Sequence, residues 1–158
     1  MSQLSTEAID KLVKAAAQAR MNSYSPYSSF SVGAALLTEN DEMFTGANVE
    51  NASYPCGICA EKVAYAKAIT ATPTRPSIKA IAVVAYVHPF FSNRKPLGPS
   101  QFVTPCGNCR QFMSEFGKET VVICATDPSP APGAVTIAGT FTLATLLPHS
   151  FSADDLSQ

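Results

Sequence analysis

Cys59-Ala60-Glu61, read together with Pro105-Cys106-Gly107-Asn108-Cys109, brings three thiols and a carboxylate into question at once. A catalytic zinc takes three protein ligands and leaves its fourth position to water. Cys59, Cys106 and Cys109 are the three candidate ligands, and Glu61 is the candidate proton carrier beside that water. A water on zinc can reach a pKa of about 7, which makes hydroxide available at neutral pH. Cys106 and Cys109, three residues apart in the first turns of one helix, place both thiols on one face. Cys59 is read as opening another helix, so that two helix N-termini favour thiolate over thiol at the metal. Three thiolates on Zn²⁺ still leave a net negative site, which calls for a nearby cation.

The competing reading is structural. Cys56-Gly57-Ile58-Cys59 and Cys106-Gly107-Asn108-Cys109 form a Cys-x-x-Cys pair twice over, the spacing of a closed four-cysteine zinc without catalysis. Against it stand the glutamate two residues after Cys59, the helix that the second pair opens, and a chain too large to need a staple. Cys56 is then a bystander, and Cys124, in an apolar strand, is a small core residue.

The elements that position these residues follow from periodicity. Ser5 caps a helix whose buried face is Ile9, Leu12, Val13, Ala16 and Ala17, with Ser25-Pro26 as its terminator. A strand is expected over Phe30–Thr38, with Phe30, Val32, Ala34 and Leu36 on one face. A polar turn at 40–42 then returns the chain along Met43–Ala47. A polar loop delivers it to Cys59 and to a helix reaching about Ala71. Ile78–Val87 reads as a buried central strand. Residues 88–103 form a long loop. Thr104 and Pro105 then look like the N-cap and first position of a helix running to Phe116, with Gly117 as its C-terminal cap. Val121–Ala125 and Ala134–Ile137 read as strands, and Thr142–Leu147 as a short last helix. Strands alternating with helices imply an α/β layered fold.

Composition narrows the function. With 158 residues the chain is expected to form one domain spanning 1–158. A net charge of −1 and a pI near 6.1 offer no basic footprint for a nucleic-acid backbone. No run of about 18 apolar residues exists to cross a membrane. The N-terminal stretch lacks the features of a signal peptide, and five cysteines are an odd number that favours metal ligation over disulfides. A cytoplasmic location is the expectation.

The metal motifs are those of zinc deaminases with cysteine as first ligand. Together with Ser25-Pro26-Tyr27-Ser28-Ser29-Phe30, Thr45-Gly46-Ala47-Asn48-Val49-Glu50-Asn51-Ala52, Cys109-Arg110-Gln111-Phe112 and Leu146-Leu147-Pro148-His149-Ser150-Phe151, they make almost the whole chain resemble the small, homotetrameric cytidine deaminases. The resemblance implies a three-layer fold, a mixed central sheet with helices on both faces, and one Zn²⁺ per subunit. It implies hydrolysis of cytidine and 2′-deoxycytidine to the uridines in pyrimidine salvage, by attack at C4 of the base with Glu61 as proton shuttle. In that family the residue matching Phe30 lines the base pocket, and those matching Asn48 and Glu50 hold the ribose hydroxyls. The residue matching Ala60 contacts the base through its backbone. The aromatic matching Phe151 closes a neighbouring subunit's site. By residue type alone, Asn48 and Glu50 would be turn residues, Phe30 core, and Phe151 an apolar tail residue.

Two departures from the family pattern stand out. Lys62 occupies the position of an arginine that bonds the ligand sulfurs, and an ammonium lacks the planar two-pronged fork. Arg110 is a second cation that could share that duty. The segment between the metal motifs, from His88 to Val103, is longer than usual. Other readings are a deaminase of a nucleoside analogue such as blasticidin S, and a polynucleotide deaminase. The latter needs a basic channel and stacking surface, for which the chain shows no basic cluster and no tryptophan.

Overall fold

The computed structural model describes residues 4–87, 101–133 and 135–156. Its elements in order are α1 (Thr6–Arg20), β1 (Phe30–Thr38), β2 (Met43–Ala47), α2 (Ala60–Ala71), β3 (Ile78–Val87), α3 (Gly107–Ser114), β4 (Val121–Thr126), β5 (Thr136–Thr142) and α4 (Leu143–Leu146). The five strands form one sheet in the order β2-β1-β3-β4-β5. Only β3 and β4 run parallel; the other neighbours are antiparallel, so the sheet is mixed.

Period-two alternation splits the strand residues between two apolar layers. Ala35, Leu37, Ala80, Ala82, Val84, Ile123 and Ala125 face α1, which contributes Leu12, Val13, Ala16 and Ala17. Ala34, Leu36, Ile81, Val83, Val122 and Cys124 face Ala60, Ala64, Tyr65 and Ala68 of α2 and Cys109 and Met113 of α3. Helices therefore cover both faces, and both metal-bearing helices lie on the same one. Two glycines set the spacing. A Cβ on Gly33 would lie 2.1 Å from the Ala16 carbonyl oxygen, and one on Gly46 would lie 2.4 Å from that of Ala60. α1 and α2 sit against β1 and β2 at a distance that only a missing side chain permits.

Several boundaries differ from the expectation. α1 stops at Arg20, before Ser25-Pro26. Turn bonds from Asn22 to Ala19 and from Ser23 to Arg20 close it, and the Tyr24 N–H already bonds the Asn48 carbonyl. Arg20 itself is buried against Asp127 at 3.1 Å and donates to the Ser129 carbonyl at 2.9 Å, tying the helix end to the loop after β4. α3 is capped by Cys106, not Thr104, and ends at Ser114, short of Phe116. Arg110 donates to the Thr104 hydroxyl and, at 2.6 Å, to the Pro105 carbonyl, which keeps those residues out of the helix. Gly117 has φ 143°, a positive value glycine tolerates. The last strand begins at Thr136 and runs to Thr142, which then caps α4 by accepting from the Thr145 N–H. Ala134, and residues 88–100 of the expected loop, lie outside the described residues. Among the described residues no helix is long and apolar enough to cross a membrane.

Candidate metal and catalytic site

Cys59 is the N-cap of α2 and Cys106 that of α3, both in extended conformation, and neither thiol is spent on a cap hydrogen bond. Cys109 follows within the first turn of α3 and is fully buried. The three Sγ atoms lie within 4.8 Å of one another. Tetrahedral zinc with bonds of about 2.3 Å separates its sulfurs by roughly 3.8 Å, so the trio fits that ion with little adjustment. A three-thiolate donor set also suits zinc chemically and leaves one coordination position open. Cys56 is exposed and is not one of the clustered ligands. The closed four-cysteine arrangement therefore finds no support in the geometry.

Glu61 is 5 % exposed, on the first turn of α2. Burial, reinforced by the charge of Cys59, lifts its carboxyl to about 7, against the opposing pull of a Cys109 hydrogen bond and the Lys62 charge. A hydrogen bond from Cys109, with help from Cys106 and the Lys62 charge, brings the Cys59 thiol down to about 6 although burial opposes it. Cys109 is correspondingly driven up, mainly because its proton bridges to Cys59. Cys124 lies in β4 beneath this layer, and burial first, then Glu61, pushes its thiol to about 12.

The remaining candidates fall into two groups. Ala60 is completely buried at the start of α2, and Phe30 opens β1 opposite Val87. Asn48 is locked by its neighbours. Its Oδ1 accepts from the Ser23 hydroxyl at 2.6 Å and the Val32 N–H at 2.8 Å, while Nδ2 donates to the Phe30 carbonyl at 2.9 Å. Glu50 accepts from the Tyr27 N–H at 2.9 Å, the Ser28 N–H at 3.2 Å and the Ser28 hydroxyl. Burial alone would raise its carboxyl, but these three donors outweigh it and hold Glu50 below the ordinary carboxylate value. A hollow of about 370 Å³ opens beside it, lined by Tyr27, Ser28, Glu50, Asn51, Tyr54 and Gly57.

Lys62, Arg110 and Phe151 complete the set. Lys62 Nζ donates to Asn108 Oδ1 at 3.0 Å. Arg110 gives its donors to the Pro105 carbonyl, the Thr104 hydroxyl and, at 2.9 Å, the Leu146 carbonyl, so its described hydrogen bonds hold backbone and a hydroxyl in place of sulfur. Phe151 is 58 % exposed, and its carbonyl accepts from Gln111 Nε2 at 2.8 Å. Sequence reasoning assigned no role to Ser23, Ser28 or Asn108. Ser28 lay in plain view inside the Ser-Pro-Tyr-Ser segment. Asn108, a polar residue between two metal cysteines, was the other available signal.

A layered α/β sheet bearing a three-thiolate site and a buried carboxyl defines the class of zinc-dependent deaminases. The model of the cytidine and deoxycytidylate deaminase zinc-binding region matches residues 6–125. A probable cytidine deaminase of Dictyostelium discoideum is 39 % identical over 155 residues, covering 97 % of this chain and 90 % of the relative. The cytidine deaminase of Halalkalibacterium halodurans is 40 % identical over 149 residues, covering 92 % and 96 %. The crystal structure of cytidine deaminase from Burkholderia pseudomallei superimposes with a TM-score of 0.72 at 38 % identity, covering 94 % of this chain and all of that one. The chain belongs to the cytidine and deoxycytidylate deaminase family, and it is a zinc-dependent enzyme.

Proposed function

We propose that the protein hydrolyses the exocyclic C–N bond of free cytidine and 2′-deoxycytidine, giving the corresponding uridines and ammonia, as a pyrimidine-salvage enzyme. The observation that carries this reading is Glu61, a buried carboxyl on the first turn of α2 next to the thiol trio. Cys59, Cys106 and Cys109 would hold the zinc, whose chemistry there is to acidify a water at its open position. Glu61 takes a proton from the attacking water and passes it to the ring nitrogen, then takes the second proton from the hydroxyl now on C4 and delivers it to the departing amine. The C4–N bond breaks as ammonia leaves, and C4 keeps the oxygen.

The sugar side supports a nucleoside and limits what it must carry. Both acceptor positions of Asn48 Oδ1 are filled, and one N–H of Nδ2 is spent, so Asn48 has a single donor left to offer. Glu50, held ionised by three donors, can only accept. One hydroxyl that gives its proton to Glu50 and accepts from Asn48 satisfies both. If that hydroxyl is the 3′ one, a 2′-deoxynucleoside keeps it and a 2′,3′-dideoxynucleoside, left with the 5′-hydroxyl alone, does not. Phe30 and the Ala60 backbone are assigned to the base.

The partners are proposed on surface chemistry. Isolated bridges join Tyr24 to Val49 and Val49 to Ile58, and the Tyr27 and Tyr54 rings lie 6.0 Å apart. All five side chains are exposed, and exposed apolar side chains gathered on neighbouring segments suit an interaction surface. A homotetramer would cover it and let Phe151 complete a neighbouring subunit's site. Five unpaired cysteines fit a reducing, cytoplasmic compartment.

The deciding assay follows ammonia release and zinc content for the protein and its Glu61→Gln variant. Substrates are cytidine, 2′-deoxycytidine, 2′,3′-dideoxycytidine, blasticidin S and a cytosine-containing single strand. Expected are turnover of the first two only, and a variant that retains zinc while losing at least about 10²–10⁴-fold in kcat. Zinc-loaded protein that releases ammonia from none of them would sink the reading.

A further inference from the structure

We infer that Asn108 is a positioning residue, an anchor that keeps the Lys62 ammonium beside the metal sulfurs and thereby sets how much negative charge those sulfurs carry. The inference rests on the metal site proposed above and adds a residue to it. Lys62 stands on α2 three residues after Cys59, and Asn108 stands on α3 between Cys106 and Cys109. Their 3.0 Å hydrogen bond therefore bridges the two helices that carry the three sulfurs.

Three physical points make the bridge more than a surface contact. The site needs a cation, because three thiolates exceed the charge of one Zn²⁺ and Glu61 adds a fourth negative group when ionised. Lys62 is a cation whose ammonium is hydrogen-bonded onto the turn between Cys106 and Cys109, whereas Arg110 is committed to Pro105, Thr104 and Leu146. Finally, a lysine ammonium is a strongly hydrated point charge on a flexible four-carbon stem, which on its own drifts toward water. A neutral amide oxygen supplies an anchor without cancelling the charge, which a carboxylate in the same place would do.

The test uses cobalt(II)-substituted protein, in which the sulfur-to-metal charge-transfer band reports the electron density on the thiolates, together with kcat and KM for cytidine. The variants are Asn108→Ala, Asn108→Asp, Lys62→Met and the Lys62→Met/Asn108→Ala pair. A cation near sulfur stabilises its lone pairs and raises the band energy. Asn108→Ala and Lys62→Met should therefore both move the band to lower energy, and Asn108→Asp at least as far as Asn108→Ala. The kcat of Asn108→Ala should fall about two- to fivefold, the scale of a solvent-accessible charge contact, with KM unchanged. The double variant should go no further than Lys62→Met alone, since the anchor has nothing left to hold.

An unmoved band in Asn108→Ala, or effects that add in the double variant, would overturn the inference. So would an Asn108→Ala protein that no longer takes up cobalt while Lys62→Met still does, because the damage would then bypass the ammonium. The band needs no turnover. A coupled shift in a protein inactive on cytidine would sink the substrate reading alone, and full turnover with no shift would sink this inference alone.

Discussion

At the scale of single residues, Glu61 illustrates what a poised carboxyl costs. Its carboxyl sits at about 7, above the value of 4.5 it has when unburied. A group raised in this way binds its proton more tightly in the folded state. Its contribution to stability is complete below pH 4.5 and is lost as pH rises through about 7. Full ionisation of the buried group forfeits on the order of 3 kcal/mol. The chelator-stripped Glu61→Gln protein should therefore be the more stable one at pH 8, by an amount of that order, and the advantage should shrink toward pH 5. Urea unfolding of both stripped proteins at each pH checks this. Equal stability at pH 8 would contradict the picture. Glu50 is the opposite case, a carboxylate kept ionised by Tyr27 and Ser28, so loss of substrate affinity on acidification should set in only below its ordinary titration range.

At the scale of elements, the two glycine contacts separate folding from metal binding. Gly46→Ala drives a methyl into the Ala60 carbonyl and, at 2.6 Å, the Ala64 amide nitrogen of α2. Gly33→Ala drives one into the Ala16 carbonyl and, at 2.4 Å, the Arg20 nitrogen of α1. Overpacking of this kind typically costs about 1–3 kcal/mol, and both variants should show a lower Tm. Only α2 carries a sulfur and Glu61, so only Gly46→Ala should also speed zinc loss to a chelator. The same elements show what a sequence discloses. β1, β2 and β3 were legible to the residue, because alternation and apolar runs depend on local pattern alone. The α1 and α3 ends were not. They involve Arg20 reaching Asp127 and Arg110 reaching Leu146, contacts between segments far apart in the chain, beside the local bond from Arg110 to Pro105. At the site, the cysteines and Glu61 could be read from spacing, whereas Asn108 as partner of Lys62 needed the packing of α2 against α3.

At the scale of the whole molecule, the exposed patch around Tyr24, Tyr54 and Ile58 and the outward Phe151 make assembly testable. Sedimentation at micromolar concentration should give the mass of four chains. Phe151→Ala should lower kcat/KM for cytidine several-fold with zinc content unchanged. A monomer of undiminished activity would refute the assembly reading.

The order of the strands has one more consequence, for the route by which the chain folds. Cys59 precedes β3 in the chain and Cys106 follows it, and β3 sits at the centre of the sheet between β1 and β4. The sulfurs meet only after that central strand has been laid in and both α2 and α3 have docked on one side of it. Bringing residues so far apart in the chain together costs loop-closure entropy, so a zinc ion held by these sulfurs would act as a latch on a packed frame, and its uptake during refolding should lag the burial of β3.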